Sequence, residues 1–95
     1  MWVDNPFTGK AEYVHSSWET NFLMKCVAER YPVTKEHNIV IDYQQADGSW
    51  HRYVPDFKSI EENVLFEVKG VMTENDELKL SAAEALGYEV VLVSE

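Results

Sequence analysis

The stretch Val64-Leu65-Phe66-Glu67-Val68-Lys69, closed by Gly70, decides how the rest of the chain must be arranged. Val64, Phe66 and Val68 alternate with Leu65, Glu67 and Lys69, so a strand over 64–69 turns an apolar face one way and a face bearing an acid and a lysine the other. Beyond it, Glu74, Asp76 and Glu77 open a helical pattern carried by Leu78, Ala82, Ala83 and Leu86 and stopped at Gly87. The continuous apolar run 88–93 then reads as a strand, and a strand, helix, strand unit of this length favours a parallel pair with a right-handed crossover. Such a last strand is expected to be buried, with cover on both faces.

Upstream, the residues Ile39, Val40, Ile41 and Tyr43 place a strand over 38–43, and Ala46-Asp47-Gly48-Ser49 supplies a turn into a second extended run over 50–57. These two runs should pair as a hairpin. Pro55 lies within the second run, where a missing N–H is tolerated only at an edge, bulge or strand end, so the backbone near Asp56 is expected to be irregular. Further back, Trp18, Phe22, Leu23, Cys26, Val27 and Tyr31 fall on one helical face and Pro32 ends the pattern, giving a first helix over 16–31. Before it stand a turn at Asn5-Pro6-Phe7-Thr8-Gly9 and a short extended piece over 11–15. The order is helix, three strands, helix, strand: an α/β or α+β domain with a central mixed sheet flanked by helices.

Ninety-five residues make one domain, 1–95, and 45% apolar with 26% charged residues exclude a disordered chain. Seventeen acids against eight basic side chains leave a formal charge of -9, which taken alone argues against a nucleic-acid or anionic-membrane partner. A lone Cys26 and three scattered histidines offer no zinc spacing and no internal disulfide, and point to a reducing, cytoplasmic setting. The start lacks the basic and apolar regions of a signal peptide, and no apolar run reaches the roughly 20 residues of a membrane span.

The chemistry concentrates at Asp56, Glu67 and Lys69. Glu67 and Lys69 stand two apart on a strand and share a face, and if the run over 50–57 is that strand's neighbour, Asp56 at its irregular end approaches Glu67, so that two carboxylates converge with an ammonium beside them. That is an oxygen-donor set suited to magnesium, which takes one or two carboxylates and keeps several waters. The ordinary alternative is a solvated edge strand and a turn aspartate.

Val54-Pro55-Asp56-Phe57 with Phe66-Glu67-Val68-Lys69-Gly70 resembles the signature of the PD-(D/E)xK nuclease superfamily, and the element order is that superfamily's common core. Ser16-Ser17-Trp18-Glu19 resembles the Ser-x-x-Glu element of several branches, among them phage head-completion nucleases, phage Holliday-junction resolvases and the endonuclease subunit of heteromeric bacterial transposases. Lys79-x-x-x-Ala83 through Gly87-Tyr88-Glu89-Val90 is similar to the helix and last strand of the transposase-subunit branch. A Glu-x-Lys triplet alone is common; four elements in order are not.

The resemblance implies a restriction-endonuclease-like core and a metal-dependent DNA endonuclease of phage or mobile-element type, acting in the host cytoplasm. It implies Asp56 and Glu67 as metal ligands, the Val68 carbonyl as a third, Lys69 as the catalytic lysine and Glu19 completing the acidic cluster. Magnesium would be the cofactor, with manganese substituting, and the products would carry a 5′-phosphate and a 3′-hydroxyl. Glu19 keeps a second explanation, since Ser16-x-x-Glu19 is also a capping box.

Many relatives add helices or a domain for target recognition, so a chain reaching only to the last core strand reads as a minimal catalytic core. It is expected to work as a homodimer or within a larger phage or transposon complex. Lys79, His51 and Arg52 are candidate substrate contacts, although a solvated helix position for Lys79 and cross-strand pairing for His51 and Arg52 are the ordinary accounts. Trp2, Trp18 and Trp50 are not read as a stacking platform, Trp18 being assigned to the core, and the acids at 74–77 are explained by the helix dipole. Two rivals of other classes stand beside the enzyme: a catalytically silent nuclease-fold module that binds DNA or protein, and an acidic structural protein.

Overall fold

The computed structural model describes residues 1–69 and 72–94, so Gly70 of the motif lies outside the described residues. In chain order, β1 (Trp2–Asn5) and β2 (Lys10–Tyr13) form an antiparallel hairpin, and α1 (Ser17–Glu29) follows. Next come β3 (Val33–Thr34), β4 (Ile41–Gln44), β5 (Trp50–Tyr53), β6 (Phe57–Ser59) and β7 (Val64–Val68), then α2 (Glu74–Ala85) and β8 (Glu89–Val93). The main sheet has the order β3-β6-β7-β8, in which β7 and β8 are parallel and the other pairs antiparallel. β4 and β5 form a separate hairpin. The molecule is therefore an α+β domain with a mixed sheet and two helices, and among the described residues no helix is long and apolar enough to cross a membrane.

Alternation along β7 divides the core in two. Phe66, with Val64 and Val68 at its flanks, packs on the α1 residues Phe22, Leu23 and Cys26 and on Phe57 and Val33. The Phe22 ring lies 5.0 Å from Phe57 and 5.1 Å from Phe66, and Phe57 is wholly buried. Each such side chain contributes roughly 1.5–3 kcal/mol by leaving water. On the other face Leu65 meets Ile41, Tyr43 and Tyr53 of the β4–β5 hairpin and Ala83 of α2. A helix thus covers each side of the strand. Cys26 is a free, buried thiol whose pKa burial pushes up to about 11, which suits a small core residue without chemistry.

Several expectations need correction. The run 50–57 is not one strand: Val54 and Pro55 belong to none, and the chain leaves β5 to enter the main sheet as β6. Proline's missing N–H makes that the place where the ladder can change partners. β8 is not buried but forms the sheet's edge, with Leu92 exposed and Val90, Val91 and Val93 half-buried. The first helix stops at Glu29 because Arg30 takes a left-handed conformation, φ 57°, and its N–H closes onto the Cys26 and Val27 carbonyls. Trp18 is half-buried and outside the core cluster, and the paired strands of the N-terminal hairpin, like β3, went unanticipated.

Candidate functional site

Asp56 sits where the chain passes from β5 to β6. The register Phe57↔Phe66 and Lys58↔Leu65 brings it to the end of β7 that carries Glu67, and its Oδ2 accepts the Val68 N–H at 2.8 Å. The loop before it is held by His37, whose Nδ1 accepts the Ile39 N–H at 2.9 Å. That bond requires the ring proton on Nε2, which donates to the Pro55 carbonyl at 2.8 Å. Burial lowers the His37 pKa, in keeping with a neutral ring.

Glu67 is buried on the α2 side of β7, and its Oε2 accepts the Tyr53 hydroxyl at 2.6 Å. Burial raises the Glu67 carboxyl; the Tyr53 bond opposes this, the Asp56 charge adds to it, and Lys69 and Lys79 draw it back. Asp56 is raised too, by burial first, against the Val68 N–H, and further by the charge of Glu19, while Lys35 and His15 oppose. Half-buried Asp56 and buried Glu67 are therefore both raised, and Glu67 feels the charge of Asp56 directly.

Lys69 does not point its charge at open solvent. Its Nζ donates to Asp76 Oδ1 at 2.6 Å, and Lys79 Nζ lies 3.6 Å from the same oxygen, 5.6 Å from the Tyr53 ring centroid and 5.8 Å from that of Tyr43. Lys79 is thus a half-buried neighbour of the acids rather than a solvated helix residue. Asp76 does more than answer the helix dipole: it is buried and completes a capping box with Thr73, accepting from its N–H at 2.8 Å and its hydroxyl at 2.9 Å. Burial alone would raise Asp76, but the Lys69 ammonium and the Thr73 donors hold it well below the usual carboxylate range.

A depressed carboxyl contributes stability that is present above its unfolded pKa of about 3.9 and is lost as pH falls below it. The Asp76→Asn variant is expected to lose about 1–2 kcal/mol at pH 7 and clearly less at pH 2, measured by urea unfolding at both. An equal loss at both values would show that Asp76 acts by shape alone.

Glu19 makes half of a capping box. Ser16 Oγ accepts the Glu19 N–H at 3.3 Å, but Glu19 Oε1 accepts from His15 N–H, one residue before the cap, at 3.2 Å. The same oxygen pairs with Lys35 Nζ at 2.5 Å, and that ammonium also donates to the Asp56 carbonyl at 3.2 Å and lies 4.7 Å from the Phe57 ring centroid. Among the described residues no group of three or more His, Cys, Asp or Glu side chains is arranged to hold a metal. Asp56 and Glu67 are brought together; Glu19 is neutralised by Lys35. A two-carboxylate donor set fits magnesium, which retains several waters, better than a closed cage.

His51 and Arg52 stand apart on the exposed hairpin, where His51 Nε2 is 2.9 Å from Ser49 Oγ and Arg52 Nε is 4.0 Å from Asp42 across the strands. The ordinary account serves both. Lys35, Tyr53 and Asp76 escaped the sequence reading. Thr73-x-x-Asp76 does carry a capping signal and Tyr53 a strand's alternation, whereas Lys35 lies in a connection without periodicity.

Asp56 opens on a groove of about 350 Å³ that also touches Trp2, Tyr13, His15, Lys35 and Val54. A larger cavity of about 580 Å³ lies between α1 and β8 and contains none of the candidate residues. Comparison with known proteins returned no matching family, no matching curated protein and no matching solved structure.

Proposed function

We propose that the chain is a metal-dependent DNA endonuclease with a restriction-endonuclease-like core of the PD-(D/E)xK type. The observation that supports this reading is the pair of carboxylates formed by half-buried Asp56, at the break between β5 and β6, and buried Glu67, on β7, each pushed toward its protonated form by burial. A bound magnesium or manganese ion would polarise the phosphodiester and generate a hydroxide nucleophile near neutral pH. One oxygen of each acid is committed, Asp56 Oδ2 to Val68 N–H and Glu67 Oε2 to the Tyr53 hydroxyl, and the other oxygen of each is assigned to the cation, with the Val68 carbonyl alongside.

Lys69 and Lys79, poised on Asp76, stand close enough to lower Glu67 and are assigned to the charge that develops on the phosphate. Water oxygen attacks phosphorus, the bond to the 3′ oxygen breaks, and that oxygen takes up a proton, leaving a 5′-phosphate and a 3′-hydroxyl. The competing reading, a silent module, is favoured by one observation: Lys69 and Glu19 are both engaged in ion pairs.

A panel of branched, single-stranded and duplex DNAs incubated with magnesium or manganese decides between them. Cleavage that chelation abolishes, and that Glu67→Ala and Lys69→Ala lack, is expected. No reaction on any DNA, with manganese binding absent by calorimetry, assigns the chain to the silent module.

A further inference from the structure

From the groove beside Asp56 we infer that the protein takes DNA with unpaired nucleotides, seating a splayed base on Trp2 and Tyr13; this rests on the nuclease reading for the role of Asp56. Trp2 is 68% exposed and Tyr13 47%, large values for two aromatic residues facing each other across a hairpin. Their ring centroids lie 5.5 Å apart at 77°, and Tyr13 meets His15 at 5.2 Å and 75°. Perpendicular rings form a corner in which a flat base stacks on one face and meets the other ring by its edge.

The hairpin is a fixed platform. Asn5 Nδ2 donates to the Val33 carbonyl at 2.9 Å, and buried Glu12 accepts from the Thr34 hydroxyl and the Lys35 N–H, both at 2.8 Å. Tyr13 follows Glu12 and so turns outward from the same strand that Glu12 pins. The aromatic row ends in the groove that Asp56 also lines, so a base stacked there lies beside the acid assigned to the cation.

Charge points the same way. With a formal charge of -9, and with Lys35, the ammonium lining the groove, already paired to Glu19, phosphate attraction gives little affinity here. Stacking needs no positive charge and is worth about 1–3 kcal/mol per base. In a duplex the base faces are hidden within the stack, so this corner favours flaps, overhangs and single strands over paired DNA.

The test uses the full chain in chelator, where no cleavage occurs, with a fluorescein-labelled twelve-nucleotide oligothymidylate and a twelve-base-pair duplex followed by anisotropy. The single strand is expected to bind at least about tenfold more tightly than the duplex. Trp2→Ala and Tyr13→Ala should each weaken it roughly tenfold, with Trp2→Phe largely restoring binding and Trp50→Ala, a control at another site 68% exposed, leaving it unchanged.

Equal affinity for both DNAs, or indifference to Trp2→Ala in a variant of native melting temperature, would overturn the inference. So would a self-association by sedimentation that Trp2→Ala abolishes while DNA binding is absent. The two readings fail separately: Trp2-dependent binding without metal-dependent cleavage keeps the groove and removes the nuclease, and cleavage of forked DNA unaffected by Trp2→Ala does the reverse.

Discussion

The Asp56→Asn variant is expected to melt at a higher temperature than the native chain at pH 7 while its DNA cleavage falls by roughly 10²–10³-fold. Asparagine keeps an oxygen to accept the Val68 N–H, so the geometry at the end of β7 survives. What disappears is a half-buried negative charge that its partial burial and Glu19 both disfavour. The sign follows from linkage. A carboxyl whose folded pKa lies above its unfolded value destabilises the fold while ionised, and that penalty is relieved as pH falls through the folded value.

The stability gained by Asp56→Asn should therefore be largest at neutral pH and shrink in acid, and Glu67→Gln, still able to accept from the Tyr53 hydroxyl, should behave alike. Manganese at a hundredfold excess over its dissociation constant should stabilise the native chain by about 2.7 kcal/mol and neither variant. Thermal unfolding at pH 7 and pH 4, with and without manganese, measures all of this. A variant that is less stable at both pH values, or that responds to manganese like the native chain, would remove Asp56 from the cation site.

That opposition between stability and function also explains which parts of the molecule were legible in the sequence. Alternation along 64–69 exposed β7 because its two packed faces differ, one apolar and one bearing Glu67, and the helical periodicities exposed α1 and α2 because each packs one stripe on the sheet. Pro55 correctly marked an irregularity beside Asp56, since a missing N–H is a local fact. β3 and β6, two and three residues long, are too short to show any period; β6 exists because the longer β7 offers it a ladder, and β3 because β6 extends that ladder.

At the site, Asp56 and Glu67 were legible as residues that jar with their surroundings. Their partners were not, because Lys35 reaches Glu19 across 16 positions and the Asp56 carbonyl across 21. Trp2 and Tyr13 became meaningful only when the hairpin register set them opposite one another.

The largest loss of stability is expected from Lys35→Met. The Lys35 and Glu19 side chains are only 11% and 7% exposed, and removing one partner leaves the other charge buried with the His15 N–H as its remaining donor. Breaking a buried pair in this way costs about 3–5 kcal/mol, against a total of about 5–15 for a domain. The double variant Glu19→Gln with Lys35→Met should recover most of that loss, because the glutamine keeps the bond to His15 and leaves no charge behind.

Urea unfolding of the three chains reads the coupling directly, and additive losses would show that Lys35 acts through its methylenes and the Phe57 ring instead. The single variant also settles the place of Glu19. With Lys35 gone, a cation bound at the proposed site would take its place in offsetting Glu19 beside Asp56. Manganese that stabilises Lys35→Met more than the native chain makes Glu19 a ligand which Lys35 holds in reserve; manganese that stabilises both equally leaves the cation to Asp56 and Glu67 and makes Glu19 the anchor of the first helix.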